Sequence, residues 1–116
     1  MGGDPPCPRA KTHFKNKVMY AFKIRYTASA SEDLEQIEAY IARENPVAAR
    51  WVVQRIFNSL STISFFPSLG HAMPGHSYRV LVSGNYMIFY RIIKQTKTIR
   101  VLRVLDTRRD LTTMIS

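Results

Sequence analysis

Leu34-Glu35-Gln36-Ile37-Glu38-Ala39-Tyr40-Ile41-Ala42-Arg43-Glu44-Asn45-Pro46-Val47-Ala48-Ala49-Arg50-Trp51-Val52-Val53 is the stretch that decides the architecture of this chain. On its left, Leu34, Ile37 and Ile41 recur at helical spacing, with Ala30 one turn earlier. The pattern stops at Glu44-Asn45-Pro46. On its right, Ala49, Val52, Val53, Ile56, Leu60 and Ile63 make a second apolar stripe, which Pro67 and Gly70 end. Asn45 is placed to cap this second helix, with Pro46 at a first position where the missing N–H costs nothing. A link of two or three residues forces the two helices into an antiparallel hairpin. Each apolar stripe then needs a sheet to cover.

Outward from the hairpin, the flanks read as strands. Before it, Tyr20–Thr27 alternates, with Phe22, Ile24 and Tyr26 on one side and Lys23 and Arg25 on the other. Ser29 followed by Glu32 has the spacing of a capping box, and Glu32, Asp33, Glu35 and Glu38 suit a solvated first stretch of helix that the helix dipole favours. After the hairpin, residues 67–77 hold Pro67, Gly70, Pro74 and Gly75 and read as a loop. Tyr78–Val82 is a short strand, and Ser83-Gly84-Asn85 is hairpin-turn chemistry. Tyr86–Ile93 is apolar on both faces apart from Arg91, as a central strand should be. Lys94–Lys97 is a polar turn. Thr98–Leu105 alternates, with Ile99, Val101 and Leu105 on one face, Arg100, Leu102 and Val104 on the other, and Arg103 an exception on the first. If that strand is regular, Arg100 faces away from Arg103. The expected fold is a two-layer α+β domain of order β-α-α-β-β-β, with a helical hairpin on a mainly antiparallel four-stranded sheet.

Composition narrows the function classes. A chain of 116 residues with 46% hydrophobic and 22% charged residues fits one globular domain. No run of about 18 apolar residues offers a membrane span. Residues 1–18 are Pro- and Lys-rich without an apolar stretch; they read as a disordered basic arm, not a secretory signal, so a cytoplasmic protein is expected. Met19 opens the first patterned segment and is a second candidate start, which would leave residues 1–18 non-native. Residues 19–116 form the expected domain. The single cysteine, Cys7, excludes a disulfide framework. The net charge is +9, and from Arg79 onward eight Lys/Arg face only Asp106 and Asp110. Such a balance points to an anionic partner. His71 and His76 share a loop with no acid or cysteine beside them, so no metal site is expected. There is no nucleophile elbow and no phosphate-binding glycine loop, and no cofactor or small-molecule substrate is implied.

The wording of the segments resembles the ParE/RelE toxin superfamily of type II toxin-antitoxin systems, on its ParE-like branch. Ala30–Ala42 resembles the first helix, A-x-x-D-L-x-x-I-x-x-Y-I-A. Asn45-Pro46-Val47-Ala48-Ala49 resembles the start of the second, N-P-x-A-A, and Phe66-Pro67-Ser68-Leu69-Gly70 its exit, F-P-x-x-G. Arg79–Val82, Tyr86–Arg91, and Ile99–Leu105 followed by Arg108-Arg109-Asp110 resemble the three late strands. This resemblance implies a toxin that inhibits DNA gyrase without catalytic residues of its own. It implies a ParD-like antitoxin with an acidic C-terminal segment, and operator DNA reached only through that antitoxin. The contacts it suggests, for target or antitoxin, are Arg79, Arg91, Arg100, Arg103, Arg108, Arg109, Trp51 and Phe57. Trp51 lies off the apolar stripe, either exposed for a partner or packed under the N-terminal arm.

The alternative that the resemblance carries is a RelE-type ribosome-dependent endoribonuclease. Its chemistry needs basic groups for the phosphate transition state and groups that move protons. Arg79, Arg108 and Arg109 are the available candidates. Where such members carry further basic residues this chain has Leu81 and Met87, and its last residues, Leu111–Ser116, lack their tyrosine. A third possibility is a decayed toxin that serves only in autoregulation with its antitoxin.

Overall fold

A computed structural model describes residues 21–108. The N-terminal arm, Cys7, Tyr20 and Arg109 lie outside the described residues. The elements run β1 (Lys23–Tyr26), α1 (Ala28–Ala42), α2 (Pro46–Phe65), β2 (His71–Ala72), β3 (Tyr78–Ser83), β4 (Tyr86–Ile93) and β5 (Thr98–Asp106), with single 3₁₀ turns at Pro67–Leu69 and Lys94–Thr96. The sheet order is β1-β5-β4-β3-β2. β1 runs parallel to β5 and every other pair is antiparallel. The α+β reading holds, and β4 is the central strand.

The helical hairpin forms for the reasons its sequence suggests. The Asn45 side chain accepts a hydrogen bond from the Ala48 amide at 3.0 Å, and Pro46 occupies the first turn of α2. The helices bury Ala30, Ile37, Ile56, Leu60 and Ile63 against Tyr86, Ile88, Tyr90, Ile99, Val101 and Val104 of the sheet. Each fully buried aliphatic side chain contributes roughly 1.5–3 kcal/mol of transfer free energy, which makes this layer the main source of stability.

The structure corrects the reading in three places. First, the N-cap of α1 is Thr27, not Ser29: the Thr27 hydroxyl oxygen accepts from the Ala30 amide at 3.0 Å. Starting at Ala28 moves the acids out of the first turn. Second, the sheet has five strands. His71 and Ala72, inside the expected loop, pair with Val80 and Arg79 as a short edge strand. Two residues are too few to show a period. Third, β5 is not regular. Phe89 pairs with Arg103 while its neighbour Tyr90 pairs with Val101, so Leu102 is an extra residue in a β-bulge. The bulge resets the alternation. Val104 joins Ile99 and Val101 beneath the helices, and Leu105 joins Val80 and Phe89 in a second cluster on the opposite face.

The bulge is anchored to α1. The Thr27 hydroxyl donates to the Leu102 carbonyl at 2.9 Å. The Asp33 carboxylate accepts from the Val104 amide at 2.9 Å and from Arg103 Nε and a terminal guanidinium nitrogen at 2.7 and 3.0 Å. Asp33 therefore serves as a structural acceptor, whereas Glu32, Glu35 and Glu38 are exposed as expected of a solvated face.

Candidate partner-binding surfaces

In a sheet, directly paired residues share a face, so the registers sort the candidate arginines. Arg91 pairs with Arg100, and Arg100 pairs with Arg25 on β1. These three exposed arginines form a row across three adjacent strands on the face away from the helices. Arg103 pairs with Phe89, which lies two residues from Arg91, so the bulge brings Arg103 to the same face as Arg100. Its guanidinium is held by Asp33, with Arg103 about half exposed. Nothing in the sequence singles out Arg25 as a contact. Alternation already set Lys23 and Arg25 opposite the apolar side of β1, but only the parallel pairing of β1 with β5 reveals the shared row.

Arg79 lies elsewhere. It pairs with Tyr90, on the helix-covered face near the short edge strand. Its Nε donates to the Gly70 carbonyl at 2.9 Å, and a terminal nitrogen donates to the Ser68 carbonyl at 3.1 Å. The Tyr90 hydroxyl completes this clamp. It donates to the Pro67 carbonyl at 2.6 Å and accepts from the Gly70 amide at 2.8 Å. A Cβ on residue 70 would sit 2.7 Å from that hydroxyl and 2.9 Å from the Val80 carbonyl, which explains the glycine of the helix-exit motif.

Arg108 stands past the far end of β5. The Asp106 carboxylate, itself buried, accepts from the Arg108 amide at 2.8 Å and faces its Nε at 3.4 Å. That hydrogen bond and charge hold the Arg108 guanidinium above its ordinary pKa.

On the helical layer, Trp51 is 72% exposed and Phe57 is 40% exposed. Val47, Arg50 and Gln54 line a shallow depression beside Trp51. The structure thus brings Arg91 and Arg100 together with Arg25 on one face, ties the Arg103 guanidinium to Asp33 of α1, sets Trp51 and Phe57 on the opposite layer, and leaves Arg79 and Arg108 apart from both. His76 packs against Tyr78 at a tilt, with ring centroids 4.9 Å apart. Among the described residues no group of three His, Cys, Asp or Glu side chains is placed to hold a metal ion, and no helix is long and apolar enough to cross a membrane.

A helical hairpin on a mixed sheet sets the fold, and the sequence comparison gives the class, a toxin of a type II toxin-antitoxin system. A family described as "ParE toxin of type II toxin-antitoxin system, parDE" matches residues 24–111, and the chain belongs to it. A Sinorhizobium fredii protein named "Putative toxin Y4kP" is 34% identical over 82 residues, covering 69% of this chain and 85% of that protein. Among solved structures, a chain of the chromosomal ParDE system from P. aeruginosa superposes with a TM-score of 0.61 at 22% identity, over 75% of this chain and 97% of that one. A chain of the RelBE2 toxin-antitoxin complex from Mycobacterium tuberculosis gives 0.55 at 24% identity, over 77% and 94%. At these identities the two structures speak to fold alone.

Proposed function

We propose that this toxin stops growth by inhibiting DNA gyrase and is neutralised by a ParD-like antitoxin. The observation that supports this reading is that, among the described residues, the basic groups an endoribonuclease would need are not assembled. Arg79 and Arg108 flank β4 at Tyr90 and beyond Tyr86, about 13 Å apart along the strand. Each is engaged: Arg79 with the Gly70 and Ser68 carbonyls, and Arg108 with Asp106. Leu81 and Met87, at positions where RelE-type members carry basic residues, pack into the two apolar clusters. Chemistry on a phosphodiester needs such groups convergent and free.

The neutralising partner fits the two surfaces. An acidic, amphipathic segment has apolar anchors available at Trp51 and Phe57 and guanidinium groups at Arg91 and Arg100, which match carboxylates in bidentate fashion. Induced expression is expected to arrest growth with a DNA-damage response while messages stay intact. Co-expression of a ParD-like antitoxin should relieve the arrest. Arrest with cleaved messages and no damage response would establish the endonuclease instead, and no arrest would establish a decayed toxin.

A further inference from the structure

The acids and bases of this molecule are segregated more sharply than net charge conveys. No Asp or Glu lies between Glu44 and Asp106. The described acids are therefore confined to α1, its C-terminal link and the far end of β5. Lys23 begins β1 opposite Thr98, and Lys94 and Lys97 lie in the turn that joins β4 to β5 at that same end. Together with Arg25, Arg91 and Arg100 they make a patch of six exposed cations. Among the described residues, no acid forms an ion pair with the three arginines of the row.

Like charges directly opposite one another weaken a sheet. Adjacent strands are about 4.8 Å apart, so the row places the backbone of three arginines within about 10 Å. An anion laid across it offsets that repulsion. The open face of the patch carries no exposed apolar anchor: Ile93 and Thr98 between the cations are half-buried, Phe89 next to the row is buried, and Tyr26, partly exposed beside Arg25, pairs with Val101 on the helix side. A short acidic peptide held by carboxylates alone gains little per ion pair at an exposed site. A nucleic-acid backbone gains affinity from charge alone, because each neutralised phosphate releases condensed counterions. Single-stranded binding draws on exposed aromatic platforms. The aromatics nearest the row on that face, Tyr78 and Phe89, instead pack against each other at a tilt, with ring centroids 5.7 Å apart, and are at least half buried.

We infer that the row Arg25–Arg100–Arg91, flanked by Lys23, Lys94 and Lys97, binds the phosphate backbone of duplex DNA directly and without sequence preference. This goes beyond the toxin reading: an antitoxin segment anchored at Trp51 and Phe57 competes with DNA for Arg91 and Arg100, whereas carboxylates without those anchors do not, so DNA binding by the chain alone is tested apart from neutralisation. It also departs from the expectation that DNA is reached only through an antitoxin.

The test titrates the full chain into a labelled mixed-sequence duplex and follows anisotropy from about 50 to about 200 mM salt. Replacing Arg25, Arg91 and Arg100 together by Ala is expected to lower affinity at least tenfold at the low-salt end and to reduce the slope of log K against log salt by about 2 to 3. Replacing Arg43, Arg50 and Arg55 by Ala removes the same charge from the helical layer and should leave both nearly unchanged. A single Arg100→Glu change places a carboxylate between Arg25 and Arg91; it should raise the melting temperature while weakening DNA binding, a divergence that a purely structural role would not produce. Equal losses in the two triple variants, an unchanged slope, or tighter binding to single-stranded RNA than to the duplex would each overturn the inference. So would a polyglutamate chain that displaces the duplex at equal charge concentration.

Discussion

Tyr90 shows how one hydroxyl can hold a motif together. It is fully buried, it serves both Pro67 and Gly70, and Arg79 closes the same turn from outside. Removing the hydroxyl leaves the Gly70 amide and the Pro67 carbonyl without that partner, a loss of about 1–3 kcal/mol. Tyr90→Phe is expected to lower the unfolding free energy by that amount in urea, with the m-value unchanged. Gly70→Ala should cost at least as much, since the new methyl meets both a hydroxyl and a backbone carbonyl. If either variant matches the parent in denaturant midpoint, the clamp is decorative. The same geometry bears on any activity test that mutates Arg79: the guanidinium braces the turn, so a loss of toxicity in Arg79→Ala must be read beside the variant's stability.

The junction of β1, α1 and β5 is where sequence and structure part most instructively. Helical and strand periods identify both helices and β1, β3, β4 and β5, because each runs long enough to show a repeat. The start of α1 is harder to read. Ser29 with Glu32 and Thr27 with Ala30 offer the same local spacing, and Thr27 prevails because its hydroxyl also reaches Leu102. Thr27→Ala is therefore expected to cost about 1 kcal/mol or more, and Ser29→Ala to stay within about 0.5 kcal/mol of the parent. The reverse order in thermal melts would restore Ser29 as the cap. Asp33 likewise reads as one more acid on a solvated face until the bulge exposes an amide for it. Asp33→Ala should cost about 1–3 kcal/mol through the Val104 amide, and Arg103→Ala less than about 1 kcal/mol, because that arginine is half exposed. A larger effect at Arg103 would mean that the ion pair, not the amide, holds the junction. A period of two cannot locate an inserted residue, so the bulge, and with it the shared face of Arg100 and Arg103, was beyond the reach of sequence.

Across the whole molecule, two layers present two different surfaces. The helical layer offers Trp51 and Phe57, both exposed; of the two, only Trp51 stands off the apolar stripe in the sequence. The sheet offers an arginine row that depends on β1 pairing with β5, two elements separated by most of the chain. Charge asymmetry was legible from composition; its concentration at one end of one face was not. The fold itself fits both inhibition of an enzyme and cleavage of RNA, so function rests on which side chains converge. The decisive measurement places the purified chain in two reactions, a gyrase supercoiling assay and translation of a labelled message. The account predicts loss of supercoiling with intact message; cleaved message with gyrase fully active would contradict it.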